Sequence, residues 1–460
     1  MRRFSKPQQR GMVTVLLAIC VTVLIAAVGL VLSAGLSYMI KSKLNAATDA
    51  ASLAAARATS IGGDQATQTA NARAAATRFF NANFPANYLL STATLNETQV
   101  SFNGGEVTVN VSASATMPSV LMGGVVSGPL SPSVLTETKR KDLDMVIALD
   151  TSGSLSGQAA TVRSSAITFL KQFNTKLDRV GLLHFSYGAV VDDPIQKIAG
   201  LRGFDRASMT THIQAYSFNG STASPEGMYW AREQINSVPT TNLNRSNLRV
   251  IVFFSDGAPN SFGSYLTWNN GVNCKTPGTV TTDDDGSGEP GGLYKLDQQS
   301  DDVGGGCTPE TENNPTYLKN RASALPAFYN AHVPYDRYID PTTKYEYPIV
   351  TNSPRVVTKD ITYRNVNRAA RNLVEAMAAK SRDEGIYVFT LGLGSALKVG
   401  SGADGEKGED TLKCMANSTD APSRCFNASK PIGVYCYAAT QADLTPCFSK
   451  LASDILKITK

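Results

Sequence analysis

Asp144 to Gly157, DMVIALDTSGSLSG, constrains the fold more than any other stretch. An unbroken apolar run, Met145 to Leu149, ends in an acid and then in small hydroxyl residues. That is the pattern of a buried parallel strand delivering ligands to its carboxyl end, the end at which open α/β sheets bind. Asp150, Ser152 and Ser154 form D-x-S-x-S, an alternate spacing that lets one carboxylate and two hydroxyls converge above the strand. Hard oxygens of this kind suit Mg²⁺, or another divalent cation such as Ca²⁺ or Mn²⁺. Mg²⁺ takes few protein ligands and keeps waters or a partner's carboxylate in its remaining positions.

Two later stretches supply matching pieces. GSTASPEGM places Thr222 just ahead of a helix that Pro225 can start. VIVFFSDGAPN gives a second buried strand, Val250 to Phe254, that ends in Asp256 with Gly257 to turn the chain. In kind and order the three pieces resemble the metal-ion-dependent adhesion site of von Willebrand factor A domains. The resemblance implies a doubly wound, mostly parallel α/β sheet. It also implies a metal set of Asp150, Ser152, Ser154, Thr222 and Asp256, completed by an acidic side chain from a protein partner. The competing account is three polar strand ends that merely cap helices.

A chain of 460 residues is long for one domain. Of its net charge of +5, Arg2, Arg3, Lys6 and Arg10 crowd the N-terminus, leaving no electrostatic footprint for nucleic acid. Met12 to Ile40 is uncharged and long enough to cross a bilayer as a tilted helix. It exceeds the roughly 7–15 residues of a signal-peptide core. We expect an uncleaved single-pass anchor in the inner membrane, its basic N-terminus cytoplasmic and its C-terminal domain periplasmic or extracellular. Beyond Cys20 in the span, Cys274, Cys307, Cys414, Cys425, Cys436 and Cys447 fit up to three disulfides in an oxidising compartment, Cys274–Cys307 among the candidates. With three histidines and no C-x-x-C pair, zinc is not expected.

After the span, Leu44, Ala47, Ala51, Ala54, Ala55 and Ala58 recur at helical spacing, Gly62 and Gly63 interrupt, and a second helix runs from about Gln65 to Asn81. Basic residues and RG before the span, with KSKLNAATDAASLAAARA after it, resemble TadE/TadG-like proteins of the tight-adherence (Flp) pilus-assembly system. The likeness implies pilus or envelope components as partners. Unlike prepilin-like members, Met12 to Leu16 hold no acid, which argues against cleavage after Gly11 and incorporation as a pilin. Gln99 to Phe102 and Glu106 to Val111 alternate about an Asn-Gly-Gly turn as a hairpin.

The expected organisation is a basic arm (1–11), a transmembrane helix (12–40), a helical stalk with a hairpin (41–116), a Gly/Pro/Ser-rich linker (117–140) and the A-like domain (141–460). In that domain we expect a sheet-covering helix at Thr161 to Phe173, a strand at Val180 to Phe185 with His184 as a satisfied core residue, and an antiparallel edge at Gly188 to Ile195. A helix from Val366, a strand at Ile386 to Leu391, a last strand at Val434 to Ala438 and a last helix at Leu444 to Ile458 follow.

Residues 257–365 are an insertion far longer than usual sheet connections. It holds nine of the seventeen tyrosines, among them Tyr329, Tyr335, Tyr338, Tyr345 and Tyr347, a composition suited to recognition. Leaving from the strand end that bears Asp256, it is expected to rise beside the metal site, either as a rim or lid that governs which partner reaches the ion or as a passive, disulfide-pinned elaboration. Asp283, Asp285 and Gly286 lack the flanking acids of a calcium loop, Thr281 and Gly292 standing in those places, and read as a solvated turn.

No G-x-S-x-G elbow or phosphate-binding G-x-x-x-x-G-K-[ST] loop occurs, and two acids facing one cation leave no proton donor, so an enzyme is not expected. The sequence points to a membrane-anchored protein of the Flp pilus system, engaged in assembly, anchoring or adhesion through a Mg²⁺-dependent site. A freestanding surface adhesin and a metal-independent periplasmic scaffold are the alternatives.

Overall fold

The uncharged run after Gly11 is helical without interruption in the computed structural model. The structure describes residues 10–59, 65–103, 106–117, 131–141, 143–176, 178–196, 202–238, 246, 248–283, 289–299, 301–304, 307, 317–334 and 347–458. Arg2, Arg3, Lys6, the Asp285-Gly286 turn, Tyr335, Tyr338, Tyr345 and the 118–130 part of the expected linker lie outside the described residues. The chain divides into two compact units, Met1–Arg140 and Lys141–Lys460.

In the first unit, α1 (Arg10–Ala58) is 49 residues, or about 74 Å at 1.5 Å per residue. Its apolar side chains from Val13 to Leu32 are largely exposed, and α1 is long and apolar enough to cross a membrane. Past Lys41 the environment changes. Leu44, Ala47, Ala51 and Ala55 are buried with Ala72, Ala76 and Phe80 of α2 (Gln65–Asn83), small side chains that let the two helices pack closely.

Beside the helices β1 (Thr92–Leu95) and β2 (Gln99–Asn103) pair antiparallel with β3 (Glu106–Thr116). Alternate residues of β3, Val107, Val109, Val111, Ala113 and Ala115, enter the core. Another strand, β4 (Ser133–Lys141), also pairs with β3. It occupies a stretch expected to be linker, because after Val134 its inward residues are polar: Thr136 donates to Asp49 Oδ1 at 2.9 Å, Thr138 lies 2.8 Å from the Ser52 hydroxyl, and Arg140 is buried.

The second unit is a six-stranded sheet with helices on both faces. Its strands are β5 (Leu143–Asp150), β6 (Arg179–Phe185), β7 (Ala189–Asp193), β8 (Leu248–Ser255), and later β12 (Tyr387–Leu393) and β13 (Tyr435–Ala438). The order is β13-β12-β8-β5-β6-β7, parallel throughout except for antiparallel β7 at the edge. All eight residues of β5 are buried. Their alternation feeds two cores. Val146 and Ala148 pack with α5 (Ser224–Ser237) and α6 (Tyr363–Asp383); Met145, Ile147 and Leu149 pack with α3 (Ala159–Leu170) and α8 (Gln441–Ile458). A short α4 (Arg206–Ala215) lies between β7 and α5 in the chain, and α7 (Gly408–Ala416) between β12 and β13. His184 is satisfied as expected, its Nδ1 2.9 Å from Asp192 Oδ2 and its ring 4.4 Å from that of Tyr216.

Within the insertion, β9 (Ser261–Ser264), β10 (Gly278–Thr281) and β11 (Gly291–Tyr294) form a small antiparallel sheet. The six cysteines pair as Cys274–Cys307, Cys414–Cys425 and Cys436–Cys447.

Near α6 a buried ionic network replaces hydrocarbon. Arg355 donates to Glu406 at 2.6 Å and to Glu375 at 2.9 Å, and Arg371 reaches Glu406 at 3.2 Å. Burial alone would raise the Glu406 carboxyl, yet the Arg355 and Arg371 guanidiniums hold it below its ordinary value of 4.5. Arg368, through its hydrogen bonds, likewise holds Asp404 low. A depressed carboxyl contributes stability that is present above its unfolded value and lost as pH falls through the folded one. Thermal melts of the full chain are therefore expected to fall as pH drops below 4.5, and the fall should be shallower in Glu406→Gln. Parallel pH curves for the two proteins would show that the network carries no linkage.

Candidate metal centre

The topology selects one crevice. From β5 the chain moves to β6 on one side and later returns to β8 on the other, so the carboxyl ends of β5 and β8 flank a switch point, where open sheets bind ligands. Leu149 pairs with Phe254, which sets Asp150 and Ser255 side by side at that edge, with Asp256 next.

Asp150 is fully buried. Its Oδ1 accepts the Ser152 N–H at 2.8 Å and its Oδ2 the Ser255 hydroxyl at 2.5 Å. Ser152 Oγ lies 3.2 Å from Ser154 Oγ, and Ser154 donates to Asp256 Oδ1 at 2.9 Å. Hydrogen bonds thus run continuously from Asp150 to Asp256. Thr222 reaches the same place from its own loop: a Cβ built on Gly257 would stand 3.5 Å from Thr222 Oγ1. Gly153 N–H to Gly220 O at 3.1 Å and Asn219 N–H to Thr151 O at 3.0 Å lock the two loops together. Gly220 has φ +83°, and any side chain there would strike the Tyr187 ring at 2.8 Å, so the approach requires glycine.

Four of the five expected residues, Asp150, Ser152, Ser154 and Asp256, are thus linked, and Thr222 lies beside Gly257, the residue after Asp256. The donors are carboxylate and hydroxyl oxygens. Among the described residues no group of three His, Cys, Asp or Glu is placed to hold an ion. Such a hydroxyl-rich set fits a hard cation better than zinc or copper.

Three contributors escaped the sequence reading. Ser255 holds Asp150 Oδ2, and its position beside Asp256 was the available signal. Asn260 accepts the Thr222 N–H at 2.9 Å and the Ser221 hydroxyl at 2.6 Å, while donating to Thr282 O at 2.9 Å, so it fastens the Thr222 loop to the insertion. Gln299 Nε2 donates to Ser217 O at 2.7 Å and reaches Thr151 Oγ1 at 3.4 Å, between the first two site residues. Tyr294 stacks on Tyr187 at 3.8 Å close by. No local pattern links Gln299 or Tyr294 to Thr151 and Tyr187, each more than a hundred residues upstream.

Residues 144–275 match the family model of the von Willebrand factor type A domain. The chain carries a VWA domain. Residues 11–58 match the model described as putative Flp pilus-assembly TadE/G-like, which covers α1 almost entirely. No curated protein matches the chain. Among solved structures, the VWA-bearing chain is similar to the pilus adhesin SpaC of Lactobacillus rhamnosus GG in its open conformation (15% identity, 80% of this chain and 34% of that one, TM-score 0.37). It is also similar to the vWF domain of the type V pili tip protein Mfa5 of Porphyromonas gingivalis (16%, 70% and 97%, 0.36) and to the PilB minor pilin of Streptococcus sanguinis (12%, 80% and 79%, 0.38). The chain spans about a third of the length of SpaC.

Proposed function

We propose that this is an envelope protein of the tight-adherence pilus system that binds an acidic side chain of a pilus or envelope partner through a divalent cation in its VWA domain. The observation that carries the reading is the Ser154–Asp256 hydrogen bond, which joins motifs 102 residues apart into one oxygen-lined patch. Asp150, Ser152, Ser154, Thr222 and Asp256 would hold Mg²⁺ directly or through water. The cation would supply a Lewis-acidic point for a carboxylate, a contact whose directionality favours specificity. The residues themselves do the positioning. Ser255 and the Ser152 N–H fix the Asp150 carboxylate, and Asn260 fixes the Thr222 loop. The insertion, attached at Asn260 and Gln299, forms the rim that selects the partner. The TadE/G-like α1 anchors the protein in the inner membrane with its basic N-terminus cytoplasmic, which puts the VWA domain where pilus components assemble.

The test is a pull-down from envelope extract with the full chain as bait, in Mg²⁺ and in EDTA. Pilus-system proteins should be retained in Mg²⁺ and lost both in EDTA and with Asp256→Ala. Equal retention in all three would favour a metal-independent scaffold.

A further inference from the structure

A cleft of about 400 Å³ lies between α5 and the insertion, and none of the five expected metal-site residues lines it. That volume is within the range of small-molecule sites and ample for two sugar rings. Its walls include Trp230, Thr276, Lys295, Asp297 and His332. One wall is aromatic and fixed: the His332 ring stacks on Tyr229 at 4.2 Å and meets Trp230 edge-on at 5.1 Å.

Behind that wall stands Glu226, fully buried. Its Oε1 accepts the Gly263 N–H at 2.9 Å and the Tyr329 hydroxyl at 2.7 Å, and its Oε2 takes His332 Nε2 at 2.8 Å. A carboxylate holding Nε2–H selects the tautomer whose Nδ1 is an acceptor. Among the described residues, His332 Nδ1 and the Trp230 indole N–H have no hydrogen-bond partner within the protein, and the Asp297 carboxylate stands exposed at the mouth. Lys295 has only Asp301, at 3.5 Å on the exposed surface.

We propose that this cleft binds an uncharged glycan of one or two pyranose units. A singly charged ligand gains no net attraction, because the Lys295 and Asp297 charges that line the cleft together offset one another. A pyranose matches the lining. Its C–H face rests on the indole, as an apolar body does on an aromatic platform. Its hydroxyls both donate and accept, which lets them satisfy Asp297, Lys295, Nδ1 of His332 and the indole N–H at once. The proposal does not depend on the metal reading, since none of the five metal-site residues lines the cleft.

The chain has two tryptophans, Trp230 and Trp268, so a Trp268→Phe background makes emission report on the cleft. The full chain, in a detergent without a sugar head group, is titrated with maltose, cellobiose, lactose and N,N′-diacetylchitobiose. At least one should change Trp230 emission saturably, equally in Mg²⁺ and in EDTA, and the exposed, isosteric change Asp297→Asn should weaken it about tenfold. A flat response to all four sugars, unaltered affinity in Asp297→Asn, dependence on Mg²⁺, or saturation by N-acetylglutamate or N-acetyllysine amide instead would each overturn the assignment.

Discussion

Asp150→Ala is expected to abolish the stabilisation that Mg²⁺ confers on the full chain. A ligand that binds only the folded state raises its stability by RT ln(1 + [L]/Kd), about 2.7 kcal/mol at a hundred times Kd, so MgCl₂ should raise the melting temperature of the wild type by several degrees. Asp150 has no substitute. It is the buried acid at the end of β5, and its two oxygens are already aimed by the Ser152 N–H and the Ser255 hydroxyl. The substitution also leaves that N–H without an acceptor, a cost of about 1–3 kcal/mol whether or not a cation is present. The decisive quantity is therefore the difference between melts in Mg²⁺ and in EDTA, not the melt itself. Asp150→Asn keeps an acceptor for Ser152 while removing the charge, and it should lose the same difference at a smaller basal cost. Ser154→Ala should retain part of the response, since one hydroxyl among five donors is removed. A Mg²⁺-induced rise of equal size in wild type and Asp150→Ala, or none in wild type, would remove the cation from these residues.

The contrast between Asp150 and Glu226 shows what the sequence made legible. A buried parallel strand announces itself, because every residue of Leu143 to Asp150 is buried and Met145 to Leu149 is apolar without a break. The polar residue that ends such a run stands at the ligand-binding edge by geometry alone, and Asp150 and Asp256 were found that way. The antiparallel edge at β7 was legible for a similar reason, since Pro194 cannot sit in the middle of a sheet. β4 was hidden because Ser52, Thr136 and Thr138 replace apolar contacts with hydroxyl pairs, which erases the alternation that marks a half-buried strand. The disulfide partners of Cys414 and Cys436 were not readable, since spacing fixes the number of bridges and not their connection. Asn260, Gln299 and Glu226 were missed because their partners lie between 22 and 148 residues away. Side chains that bind backbone and hydroxyl groups across such separations leave no periodic trace.

Glu226→Ala should be the most destabilising single change near the site, by about 3–5 kcal/mol. The residue lies four positions after Thr222 in the first turn of α5, where its sequence role is no more than an acid near a helix N-terminus. In the fold it is the sole acceptor shown for three groups contributed by the insertion: the Gly263 N–H, the Tyr329 hydroxyl and His332 Nε2. Burial, and then the charge of Glu226, pushes the Tyr329 phenol well above its usual range, so it stays a donor throughout the accessible pH range. Removing the carboxylate leaves buried donors unpaired, each at about 1–3 kcal/mol. Glu226→Gln keeps one oxygen for Gly263 and Tyr329 and turns an amide toward His332, so only the imidazole must change its tautomer and the loss should be much smaller. Because Glu226 and Tyr329 share one contact, adding Tyr329→Phe to Glu226→Ala should cost less than the sum of the two changes made separately. Denaturant melts of the four proteins measure that coupling, and limited proteolysis should place the first new cuts in the insertion. A Glu226→Ala protein within about 0.5 kcal/mol of wild type, or strict additivity with Tyr329→Phe, would mean that the insertion is held to α5 by apolar packing alone.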